Sequence, residues 1–167
     1  LNLEIREHFF TKLYLLFKYK NVKNQNSIKA LSDFHANNKY LYFAYDQMHK
    51  NKLGQIVANH ERKQLSEVYD EYFQELIKLL SKLPSKKNYI NAYFHIFGYF
   101  SKNIKREERK FFLDLIEKFK KNQIDKSSIA NVLRSYVIKF NIDYLLNQSI
   151  FNPFPEGLVT LKDSSIK

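Results

Sequence analysis

Histidine and lysine at helical steps are what this sequence offers for chemistry. His35, Lys39, Tyr42, Asp46 and His49 recur at intervals of 4, 3, 4 and 3 residues, so on one helix they form a single polar face beside Phe34, Leu41, Ala44, Tyr45 and Met48. Lys87, Asn91, His95 and Lys102 make a second stripe next to Ile90, Phe94 and Phe97, with Gly98 beside His95. Glycine inside a helix costs about 1 kcal/mol relative to alanine, so Gly98 is expected where another backbone or a ligand comes close. Facing each other, the stripes would bring His35, Lys39, Asn91 and His95 into a polar pocket suited to a phosphate or a base edge. The plainer expectation for each histidine alone is a hydrogen-bonded packing residue.

The same histidines define an enzymatic alternative, with His35 or His95 as general acid or base and Asp46 or Glu108 as its orienter, acting on a nucleotide. Little else supports turnover. With 0 Cys there is no thiolate nucleophile, disulfide, iron–sulfur cluster or cysteine-based zinc site. His35, His49 and His60 are separated by 13 and 10 intervening residues, unlike a His-x3-His or His-Glu-x-x-His pair. No Ser-His-Asp order and no phosphate-cradling glycine loop occurs, so neither a metal nor a cofactor is expected.

Charge points elsewhere. The chain carries 28 Lys and Arg against 17 Asp and Glu, a formal charge of +11. Residues 78–126 hold 13 of those cations against 5 acids, whereas residues 61–77 hold 2 against 5. A basic surface of this kind draws phosphate chains by releasing condensed counterions. The expected RNA-contacting residues are Lys39, Lys86, Lys87, Asn91, His95, Lys102, Lys105, Arg106, Arg109 and Lys110. Arg supplies only 5 of the 28 cations, so contacts to the backbone are expected over bidentate base reading. Tyr42, Tyr93 and Tyr99 are candidate stacking platforms, although an aromatic at helical spacing is more often core. The competing readings are a solvated lysine-rich surface and an adaptor that binds an acidic protein.

The elements that must position these residues read as helices. Only 3 Gly and 3 Pro interrupt 167 residues, and 44% of the chain is apolar, enough for one domain with its own core. Apolar spacing predicts a first helix ending at Asn21 to Asn26, a second from Ser27 to about His49, and a short third from Leu53 to Asn59 after a turn containing Gly54. A fourth runs from Leu65 to Leu80 and Pro84 closes it. Ser85 caps a fifth, which reaches Tyr99 and Phe100. Phe111 to Phe119 marks a sixth and Ile129 to Val137 a seventh, before a turn near Asp143 to Gln148 and a tail bearing Pro153 and Pro155. The prediction is one all-α bundle of about seven helices over residues 1–167. No apolar run is long enough to span a bilayer. Glu4, Arg6 and Glu7 stand where a signal peptide needs apolar residues, so a cytoplasmic location is expected. The chain begins with Leu1, as a fragment or trimmed chain would.

Four motifs carry a family resemblance over residues 33–158. They are Asp33-Phe34-His35 followed by Lys39-Tyr40-Leu41, Leu53-Gly54-Gln55-Ile56-Val57-Ala58, Asn91 with His95-Ile96-Phe97-Gly98-Tyr99-Phe100, and Phe151-Asn152-Pro153-Phe154-Pro155. In order and spacing they resemble the YbgA-like domain, a bacterial helical domain of long-unknown function. Where that family often has histidine, this chain has Asn38 and Tyr45. The resemblance implies a domain found alone or fused behind a cysteine-bearing domain similar to thiouracil desulfidases, which helps present thiolated tRNA to it. By that analogy this chain is the RNA-engaging part, with tRNA or other structured RNA as one partner and a cysteine-bearing desulfidase-like protein, acting in trans, as another.

Overall fold

Three side chains start helices by taking backbone N–H groups that a first turn leaves unpaired. In the computed structural model, which describes residues 3–158, Ser27 Oγ accepts from Ala30 N–H (3.4 Å), Asp46 Oδ1 from His49 N–H (2.9 Å) and Ser85 Oγ from Asn88 N–H (3.1 Å). They open α2 (Ile28–Tyr45), α3 (Gln47–Ala58) and α5 (Lys86–Gly98). The other helices are α1 (Leu3–Asn24), α4 (Leu65–Leu79), α6 (Arg106–Lys120), α7 (Lys126–Lys139) and the short α8 (Asp143–Leu146). Glu67 and Glu108 reach back to the Gln64 and Lys105 N–H groups at the starts of α4 and α6. Among the described residues the expected all-α bundle is what forms, with seven helices of 12 to 22 residues, a four-residue α8 and a 3₁₀ turn at Glu156–Leu158 after the prolines.

Among the described residues no glycine takes the left-handed conformation at a helix end. Asn26, Asn59, Asn122 and Asn141 take the left-handed conformation at φ 47°, 45°, 58° and 50°. Their short polar side chains make that region accessible without glycine, which is how 3 Gly suffice for so many connections.

The second predicted helix is in fact two. α2 stops at Tyr45, and Asp46, in extended conformation at φ −159° and ψ 124°, closes it by donating its N–H to Tyr42 O (2.9 Å) while its carboxylate opens α3. Asp46 and His49 therefore leave the face that His35, Lys39 and Tyr42 share. Gly54, expected in a turn, sits inside α3. The first helix ends at Asn24, within the Asn-rich break from Asn21 to Asn26.

α2 is the spine of the molecule. Tyr40 through Tyr45 are all buried, and α1, α3, α4 and α5 pack around α2. The segment after α8 is tied to it. Gln148 Nε2 donates to Ala36 O (2.7 Å) and Gln148 Oε1 accepts from Tyr40 N–H (3.3 Å), so one side-chain amide bridges a donor and acceptor four residues apart on α2. Ser149 adds bonds to Asn37 O (2.9 Å) and to the buried Asn38 (2.5 Å). The buried apolar residues form one cluster from Leu15 to Ile150.

Candidate functional site

The two predicted stripes lie on helices that pack together, yet they do not enclose a shared pocket. His35 turns toward α3 and α4, where its Nδ1 lies 3.2 Å from Tyr72 Oη. Tyr72 donates onward to Tyr42 Oη (3.3 Å), which leaves its oxygen to accept from the Nδ1–H of a neutral imidazole. His35 Nε2 faces Gly54, where a Cβ would lie 3.4 Å away. His95 is exposed on α5 and meets the edge of Phe43 (ring centroids 4.9 Å apart). Asn91 is exposed one turn before it. Lys39 is half-buried one turn beyond His35.

Beside Lys39 stands a residue the sequence reading passed over. Lys50 of α3 lies over the Phe43 ring at 5.1 Å, and Lys39 lies over the Tyr40 ring at 5.9 Å. Neither ammonium group has a carboxylate partner among the described residues. Burial and then the Lys39 charge lower the pKa of Lys50, and burial, Lys50 and Lys39 together push the His35 imidazole from 6.5 down to about 4. His35, Lys39, Lys50 and Phe43 thus form a cationic notch where α2 and α3 fold back on each other.

The remaining candidate residues divide between two ends of the α5–α6 pair. Lys86 donates to Asn122 and lies over Phe119 (5.1 Å), which puts the start of α5 against the end of α6. At the opposite end Arg109 donates to Ser101 O. Lys102, Lys105, Arg106 and Lys110 are exposed there, without ion pairs among the described residues. Fourteen steps of 1.5 Å along α6 separate the two ends by roughly 20 Å. Lys87 is exposed beside Lys86. Of the other cations between residues 78 and 126, Lys78 pairs with Glu75 (3.6 Å), Lys120 with Glu117 (2.7 Å) and Lys126 with Glu7.

Two of the three tyrosine platforms fail. Tyr42 is 0% and Tyr93 1% exposed, so neither can stack on a base. Tyr99 is 49% exposed and lies near Tyr144 (centroids 6.3 Å), three residues before Lys102. Gly98 also differs from expectation. It ends α5, and a Cβ added there would meet nothing within 4 Å. Gly98→Ala is therefore expected to raise stability by about 0.4–1 kcal/mol through the unfolded chain, measured as a higher urea midpoint.

The acid–base pairs suggested for catalysis are not formed. Asp46 is spent on its caps, while Glu108 binds the Lys105 N–H (2.7 Å) and Lys139 (3.3 Å). The histidine–carboxylate pair that does form is His49 Nδ1 with Glu75 Oε1 at 2.6 Å, across α3 and α4. Glu75 is buried, and His49, Lys52 and Lys78 outweigh its burial and hold its carboxyl below the usual range. At Tyr45, His8 of α1 supplies an imidazole 2.8 Å from the hydroxyl.

His35 sets a pH dependence. Between pH 6.5 and 4 the unfolded chain binds a proton that the folded imidazole refuses, so stability falls as pH is lowered through that window and levels off below it. The full loss is about 3 kcal/mol. Urea midpoints for the native chain and His35→Gln should converge as pH drops from 6.5 to 4.

A basic all-helical bundle with a cationic notch at the α2–α3 fold-back is the class this structure defines. The chain belongs to the family described as "Protein of unknown function (DUF1722)", which it matches over residues 39–155. It is similar to the "Uncharacterized protein YbgA" of Escherichia coli (strain K12), at 25% identity over 157 residues, covering 93% of this chain and 92% of that protein. No solved structure matches it. Among the described residues no helix is long and apolar enough to cross a membrane.

Proposed function

We propose that this domain binds structured RNA, tRNA in particular, by its phosphate backbone, as the accessory half of a cytoplasmic thiolated-tRNA desulfidation system. The observation that carries the reading is the surplus of cations without carboxylates: Lys102, Lys105, Arg106 and Lys110 at one end of α5–α6, and Lys87 at the other. These ammonium and guanidinium groups are exposed and have no ion-pair partner among the described residues, so a polyanion would displace their counterions. The exposed Tyr99–Tyr144 pair beside Lys102 adds a surface on which an unstacked base can lie, worth roughly 1–3 kcal/mol per base.

A protein partner has a separate place to dock. Ile5, Phe9, Leu13 and Phe17 recur every four residues along the outer face of α1 and are 46%, 58%, 50% and 60% exposed. A continuous apolar ridge of this kind marks an interaction surface, and a desulfidase-like protein in trans is the occupant that the family resemblance suggests. The experiment is a pair of assays. Phe9→Glu with Phe17→Glu should leave tRNA binding unchanged and abolish co-elution with a cysteine-bearing desulfidase-like protein. Loss of tRNA binding in that variant would place the RNA surface on α1 instead.

A further inference from the structure

We infer that the α2–α3 notch is a phosphate-binding subsite, with Lys39 and Lys50 as its cationic walls and His35 at its base. The inference deepens the RNA reading and rests on it for the identity of the natural ligand, though not for the chemistry of the site. The fold-back at Asp46 sets His35 opposite Gly54 and Phe43 opposite Lys50. Lys39 lies one helical turn from both His35 and Phe43 on α2, and Lys50 one turn from Gly54 on α3. Two half-buried lysines and the half-buried His35 thereby lie on adjacent turns of the packed α2–α3 pair.

The balance of charge there is one-sided. The titratable groups packed around His35 and Phe43 are Lys39 and the buried Tyr42 of α2, Lys50 of α3, the buried Tyr72 of α4 and His95 of α5, and none carries a carboxylate. The carboxylates nearest in sequence are committed elsewhere, Asp33 to Lys29 (2.6 Å), Asp46 to the His49 N–H and Glu61 to Lys63 (3.1 Å), and Glu75 of the adjoining α4 is bound to His49. A protein that keeps cations close together with no counterion lowers its own stability, and an oxyanion placed between them removes that cost. Gly54 contributes by leaving the Nε2 edge of His35 without a methyl group against it. Phosphate fits the site because each ammonium can donate to a separate oxygen while a protonated Nε2 donates to a third.

The proposal predicts that phosphate pulls His35 back toward protonation, since the anion stabilises the imidazolium against its burial. The test follows the His35 ring resonances of the full chain by NMR during pH titration, with and without inorganic phosphate. The expected result is a midpoint raised by at least one pH unit in phosphate, with the rise lost in Lys39→Met and in Lys50→Met. Both variants keep the aliphatic stem that packs on the neighbouring rings, and the unchanged dispersion of the remaining resonances checks folding. A His35 midpoint that is the same with and without phosphate overturns the subsite, as does an undiminished rise in the two variants.

RNA binding is read separately, by tRNA retention in the native chain. Retention with an unmoved His35 sinks the subsite alone, and a moved His35 without retention sinks the RNA reading alone. Two RNAs of one sequence, bearing a 5′-phosphate or a 5′-hydroxyl, then separate the sources of the phosphate. A tenfold preference for the former assigns a terminal monoester, and equal affinity assigns a backbone diester.

Discussion

Reversing Lys102, Lys105, Arg106 and Lys110 to glutamate together lowers tRNA affinity a hundredfold or more at low salt, and reduces the salt dependence of binding by about one unit per residue. All four side chains are exposed and without ion pairs among the described residues, so their whole electrostatic effect is available to a ligand. The fold should tolerate the change. Lys105 and Arg106 stand at the start of α6, where the exposed N–H groups of a helix favour negative charge. The variant should therefore melt at or above the native temperature, which separates loss of binding from loss of structure. Lys29→Ala is the matched control, because Lys29 is already paired with Asp33 at 2.6 Å. Filter retention of labelled tRNA across a salt series measures the effect.

Phe112→Ala is expected to cost about 3–5 kcal/mol of stability, the range for deleting a fully buried aromatic ring. Phe112 is 0% exposed, stacks on Phe97 with centroids 4.1 Å apart and planes at 4°, and meets the edge of Phe94 at 5.7 Å. Those contacts join α6 to α5, so the cavity would open where the cationic helix is attached. Phe112→Leu, which keeps much of the volume and loses the ring stack, should fall between the two. Urea denaturation gives the magnitude, and faster amide exchange along α6 than along α2 would show where the weakness lies. Equal exchange in both helices would mean that α6 is not held mainly by this ring.

Much of the architecture was legible because helix signals are local. Ser85 caps α5 as its position suggested, and the apolar steps of α4, α6 and α7 follow their buried faces, except that Phe111 at the start of the α6 stripe is 52% exposed. Asp46 was misread because the helical spacing of Ala44, Tyr45 and Met48 continues across it, as though one helix passed through. The capping preference of Asp46 outweighs that periodicity, and the fold-back it produces packs α3, with Lys50 and Gly54, against α2. The partners of His35 were beyond the reach of spacing. Tyr72 is 37 residues away, and only tertiary packing brings it to Nδ1. Tyr42 and Tyr93 failed as platforms for the same reason, since helical position alone does not say which face the core takes. The lysines between residues 78 and 126 cluster along the sequence, yet the antiparallel course of α5 and α6 parts them into two groups.

The account stands on the attraction between an unbalanced cationic surface and an RNA backbone. Its most direct test is the dissociation constant of the full chain for tRNA, and for a DNA duplex of equal length, across a series of salt concentrations. The account predicts a straight line of log affinity against log salt with a slope of about −4 or steeper for tRNA, and tighter binding of tRNA than of the duplex at every salt. Binding of neither at low salt, or an affinity for tRNA that salt does not change, would contradict it.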